Sequence, residues 1–62
     1  MNGIQAAGRY NELRDLVPAL EIAVRDADDR RDYTASYVLT NALQLAIHER
    51  DKLHGKLAEV TL

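Results

Sequence analysis

The chain reads as an all-α protein, an antiparallel two-helix hairpin that pairs into a homodimeric four-helix bundle, and three observations predict it. The first is a mirrored apolar pattern. From the middle towards the N-terminus a seam runs Ala27, Val24, Leu20, Val17, Leu13, Tyr10, Ala6; towards the C-terminus it runs Ser36, Leu39, Leu43, Ala46, Arg50, Leu53, Leu57, Val60. Both seams step by alternating threes and fours, which keeps their members on one face of an α-helix. The second is the single charge-packed stretch, Arg25-Asp-Ala-Asp-Asp-Arg-Arg-Asp32, at the mirror point between residues 31 and 32. The third is the width of the apolar arc. Val38, Ala42 and Leu45 flank one side of the second seam and Ile47 the other, while Leu16 and Ala23 widen the first. That arc covers roughly 200° of the second helix, more than one neighbouring helix can bury.

The chain is read as one domain over residues 1–62. The first helix is expected over about residues 4–27, with Asn2 as its N-cap, because an Asn side chain accepts a hydrogen bond from an otherwise unpaired backbone amide. Pro18 lies mid-helix, where it removes one backbone hydrogen bond. Leu13, Val17, Leu20 and Val24 keep phase across it, so a kink is expected and not a break. A turn over about 28–31 holds neither Gly nor Pro. Its left-handed backbone is therefore assigned to an Asp, which tolerates that geometry better than most residues. Asp29 or Asp32 then caps the second helix, expected over about 32–60, with Gly55 a weak point near its end.

Composition narrows the function. The chain has 62 residues, no cysteine and a formal net charge of −2. Disulfides, zinc fingers and thiol nucleophiles are excluded, and a reducing, cytoplasmic setting is the default. No apolar run reaches the ~18 residues that span a bilayer, and Met1-Asn-Gly-Ile does not read as a signal peptide. Eight Lys and Arg interleave with ten Asp and Glu, which does not favour a phosphate-gripping surface. A single core in a chain below ~70–80 residues rarely supplies more than ~3–5 kcal/mol unaided, and oligomerisation is the remedy left here. The residues assigned to the core and the dimer contact are Tyr10, Leu13, Leu16, Val17, Leu20, Val24, Val38, Leu39, Ala42, Leu43, Leu45, Ala46, Leu53 and Leu57.

Chemistry-bearing arrangements are sparse. Arg50 is the only charge in the seam. Its aliphatic stem is expected to pack while its guanidinium reaches Glu49, Glu12 or Asp15 at the edge; the sharper reading makes it a polar core residue that fixes register. His48, Asp51 and His54 are three residues apart, a spacing that swings the outer two about 120° apart around a helix, so no metal site is assigned. Glu12, Asp15, Glu49 and Asp51 do not converge as carboxylates holding a magnesium ion would, and no nucleophile, base and pocket occur together. The chain is accordingly read as a non-enzyme without cofactor.

One strip stands out. Tyr33 and Tyr37 are a helical turn apart on the face opposite the seam, followed by Thr40, Asn41, Gln44, His48 and Asp51, with Arg30 and Arg31 at its upper end. Tyr, Asn, Gln and His combine rigid contact area with adaptable hydrogen bonding. Arg30, Arg31, Tyr33, Tyr37, Asn41, Gln44 and His48 are therefore the candidate partner-binding residues; Pro18, Ile22 and Arg25 form a lesser outer surface. The expected function is a small protein-interaction module, of the kind found among phage- or plasmid-type regulators and inhibitors, with a protein partner besides its own second copy. The alternatives are an RNA- or DNA-binding regulator and a structural subunit.

The length, the mirrored heptads and the Asp26-Ala27-Asp28 stretch at the turn resemble the Rop family of plasmid copy-number regulators. The likeness is one of architecture, and it implies a short helical hairpin that dimerises into a four-helix bundle. Carried further, it implies RNA binding through polar and basic residues of paired first helices, here such residues as Arg9 and Arg14.

Overall fold

A computed structural model describes residues 3–61, with side chains described as far as Ala58. It contains two helices, α1 (Gly3–Asp29) and α2 (Tyr33–Thr61), packed against each other as an antiparallel hairpin. The molecule measures 46 × 16 × 14 Å, the length expected of helices of 27 and 29 residues at ~1.5 Å per residue. Both helices lie within two residues of the limits expected from the sequence. The proposed Asn2 cap and the seam position of Val60 lie outside the described residues and side chains.

The turn is tighter than the sequence suggested, and a different residue makes it. α1 continues to Asp29, leaving residues 30–32 non-helical. Arg31 takes the left-handed conformation, with φ 57°, where an Asp was expected. Around it the Asp32 N–H donates to the Ala27 carbonyl (2.9 Å) and the Arg31 N–H to the Asp28 carbonyl (3.0 Å). This pair of bonds is the Schellman ending, which satisfies the last carbonyls of a helix when the next residue turns left-handed. Hydrogen bonding places the reversal, so an unfavourable residue occupies the position that glycine normally takes.

Asp32, the second of the two expected caps, starts α2. Its Oδ1 accepts from the Ala35 N–H at 3.1 Å, and its carbonyl accepts the first helical bond, from the Ser36 N–H, at 2.9 Å. One residue thus closes α1 through its amide and opens α2 through its carboxylate. The Ser36 hydroxyl donates to Asp28 Oδ1 and staples the ends of the two helices together.

α1 is helical through Pro18 without a break, and Pro18 is exposed. The carbonyl that loses its partner there, that of Arg14, lies on a solvated stretch of helix where water can replace the bond.

The buried core is thin: Ala6, Leu13, Val17, Ala27, Ala46 and Leu53. Three of the six are alanines, which let the helix backbones approach closely. Leu13, 1% exposed, is the one large side chain fully buried among the described residues. Tyr10, Leu20, Leu43, Ile47 and Leu57 pack against this cluster but remain partly open. Leu20 and Leu43, expected as a central core layer, are therefore half-buried in the single hairpin.

Candidate interaction site

The expected core and contact residues divide into two groups. Leu13, Val17, Ala46 and Leu53 are buried, and Tyr10, Leu20, Val24, Leu39, Ala42, Leu43 and Leu57 are intermediate, all along the α1–α2 seam or its margin. Leu16, Val38 and Leu45 remain 44%, 59% and 71% exposed. The hairpin alone does not cover them.

Beyond the apolar residues, Arg9 joins the helices. Its Nε donates to Glu49 Oε1 at 3.1 Å and its second terminal nitrogen to Glu49 Oε2 at 3.2 Å, while its remaining nitrogen reaches Glu12 at 3.3 Å. The two-pronged geometry suits a planar guanidinium facing a carboxylate. Hydrogen bonds from Arg9, and then its charge, hold the Glu49 carboxyl below its ordinary range. The Glu49 and Glu12 carboxylates in turn hold Arg9 more firmly in its charged form. Both side chains stay about half exposed, so solvent screens the pair and it acts on register more than on stability.

This pair corrects the expected role of Arg50. Glu49 and Glu12, two of the three acids expected to meet Arg50, are taken by Arg9. Arg50 instead places its Nε and a terminal nitrogen on Asp51 Oδ1, at 3.1 and 3.0 Å, with its side chain 31% exposed. Its stem packs at the seam edge and its head turns out to its own helix neighbour, as a snorkelling arginine does.

The outer strip of α2 is open. Tyr33 and Tyr37 are 69% and 70% exposed, and Asn41, Gln44 and His48 are exposed below them. Thr40 is partly covered, and Asp51 at the lower end is engaged by Arg50. At the upper end Arg30 is held by Asp26 at 3.1 Å, and Arg31 is exposed. On the outer face of α1, Ile22 is 69% and Ile4 87% exposed, with Pro18 and Arg25 also exposed.

His48 and His54 do not converge. The His54 ring lies against Tyr10 of α1, centroids 5.8 Å apart and planes inclined by 37°, whereas His48 faces outward. No group of three or more His, Cys, Asp or Glu among the described residues is placed to hold a metal ion. No described helix is long and apolar enough to cross a membrane. Comparison of the chain with protein-family models, curated proteins and solved structures finds no match.

Sequence reasoning missed the Arg9–Glu49 bridge, although its signal was present. Arg9 lies one heptad before Leu16 and Glu49 one heptad after Ala42, so both occupy the flank positions that the apolar residues define elsewhere.

Proposed function

We propose that this chain is a small non-enzymatic interaction module that pairs as a homodimeric four-helix bundle and binds a macromolecular partner through the outer face of α2. The observation that carries the reading is the open Tyr33–Tyr37 pair, two aromatic rings one turn apart and each about 70% exposed. Both rings are mostly open to solvent in the hairpin, and neither belongs to its core cluster. Aromatic side chains of this kind, bordered by Asn41, Gln44 and His48, are the usual anchors of a protein contact. Pairing is supported by the thin core together with exposed Leu16, Val38 and Leu45.

A nucleic-acid partner is the weaker reading. Arg30 spends its charge on Asp26, and Asp28, Asp29 and Asp32 stand within the same turn. Such an acid-rich surround opposes a phosphate backbone.

The test substitutes Tyr33→Ala together with Tyr37→Ala. Helicity and dimerisation should be retained while partner retention on the immobilised chain falls by at least about 30-fold, as the loss of central aromatic anchors entails (~2 kcal/mol). A double variant that binds its partner as the parent does would remove the outer strip from the proposal. One that unfolds would make the strip structural.

A further inference from the structure

The two flanks of the hairpin are unlike, and their difference specifies how two copies meet. Arg9, Leu16 and Ala23 occupy one heptad position of α1; Ala35, Ala42 and Glu49 occupy one of α2, with Val38 and Leu45 beside them. Because Arg9 and Glu49 touch across the helices, these sets lie on the same flank. The opposite flank carries Arg14, Glu21 and Arg25 from α1 and Tyr33, Thr40, Ile47 and His54 from α2. Ile47 there packs onto the inner seam, and among the described residues the exposed leucines and valine, Leu16, Val38 and Leu45, all lie on the first flank. On the first flank the half nearer the turn is apolar from Ala23 and Ala35 to Leu16 and Leu45, with the Asp26–Arg30 ion pair beyond it at the turn itself. The half nearer the open end is charged, with Arg9, Glu12 and Glu49.

We infer that a second copy packs on this flank with both turns at the same end of the bundle. The inference rests on the homodimer reading above and adds the face and the direction. Two-fold symmetry permits two face-to-face arrangements. With the axis parallel to the helices, α1 lies opposite α2 of the second copy and antiparallel to it. Apolar half then meets apolar half, and Arg9 comes level with Glu49 of both copies, giving an alternating ring of two arginines and two glutamates.

With the axis across the helices, α1 lies on α1 and the turns point opposite ways. Each apolar half then faces the other copy's charged half. Arg9, Glu12 and Glu49 would lose water against Leu16, Val38 and Leu45 and gain no partner. Sliding the copies until only the apolar halves overlap avoids this, but it leaves ~22 Å of the length in contact, about 15 residues of helix. The full face measures roughly 700 Å², 46 Å by 16 Å, close to the ~800 Å² per partner of a stable complex; the slid arrangement offers about half. Area and charge both select the first arrangement.

Asp29 is exposed and at the turn, so Asp29→Cys carrying a nitroxide label reads the direction in the full chain. Distance measurement by dipolar spectroscopy should give a turn-to-turn separation below ~20 Å, against ~40 Å for opposed turns in full overlap, which are a helix length apart. A second label at Gly55→Cys, near the open end, separates the slid arrangement, whose turns stand only ~22 Å apart along the axis but whose open ends stand ~45 Å apart. A separation larger than ~20 Å at the turn, or one near ~45 Å at the open end, in a dimeric sample overturns the inference and leaves the bundle standing. A chain that sediments as a monomer at high micromolar concentration overturns both. Leu45→Glu locates the face independently: its site is 71% exposed in the hairpin, so the charge disturbs no contact within it, and dimer affinity should fall with helicity following at low concentration, whereas Gln44→Glu beside it on the outer strip should leave both as in the parent. A Leu45→Glu dimer of undiminished affinity would place the contact elsewhere.

Discussion

Arg31 carries the sharpest local conflict between residue and backbone. A φ of 57° places its Cβ against the following carbonyl, an arrangement that costs a non-glycine residue roughly 1–2 kcal/mol. Glycine removes the clash, while its looser unfolded chain returns part of the gain. Arg31→Gly should therefore stabilise the chain by about 0.5–1 kcal/mol, read as a higher Tm in a thermal melt. An unchanged or lower Tm would mean that the arginine side chain contributes to the turn. The same scale holds the Arg9–Glu49 bridge. Glu49 is held below its ordinary range, so its contribution is present above the pH at which the unfolded carboxyl titrates, and is lost as pH falls through the folded-state value. Arg9 shifts upward and stays charged throughout that window. Acidification into and below the ordinary carboxylate range should thus lower Tm less steeply in Glu49→Gln than in the parent. Parallel acid limbs in the two melts would show that the bridge does not bear on folding. The heptad pattern foretold neither feature. Left-handed geometry at Arg31 follows from where the helix-ending hydrogen bonds fall, and the bridge from two charges sharing a flank, relations between residues and not properties of either.

At the scale of the element, the helices were legible because their apolar residues keep a single phase. Leu13 and Val17 before Pro18, and Leu20 and Val24 after it, stay on one face, so α1 passes through the proline. Asp32 was legible as a cap from residue type alone, and its bond to the Ala35 amide is the chemistry that residue type implies. What periodicity could not reveal is depth: Leu20 and Leu13 share a seam, yet Leu13 is 1% exposed and Leu20 half-buried. Depth depends on how closely the backbones approach at each layer. Two mid-helix glycines leave stability unused. A Cβ built at Gly8 or Gly55 meets nothing within 4 Å, and neither glycine has a positive φ. Gly8→Ala and Gly55→Ala should each add about 0.5–1 kcal/mol by restricting the unfolded chain, and the two gains should sum because the sites share no neighbour. Circular dichroism melts of the singles and the double check this. A loss at either site would place something against that helix face, with a bound copy the first candidate.

The whole molecule is a thin rod whose inner seam buries little and whose one flank is left apolar. Among the described residues the hairpin buries six side chains, three of them alanine, a small core for a chain of 62 residues, and chains of this size commonly rely on a further staple such as association. Covering Leu16, Val38 and Leu45 with a second copy extends that core across four helices and brings half-buried Leu20 and Leu43 nearer the centre of a larger unit. Folding and association then become one equilibrium, because the paired state binds a second chain that the unfolded state does not. Each tenfold rise in concentration should stabilise the dimer by ~1.4 kcal/mol and lift the melting midpoint by on the order of 5 °C. Melts over a thousandfold range, run beside sedimentation at the same concentrations, read both quantities. A midpoint that stays fixed while the chain sediments as a monomer would mean that the thin seam suffices, and that the apolar flank serves a partner other than a second copy.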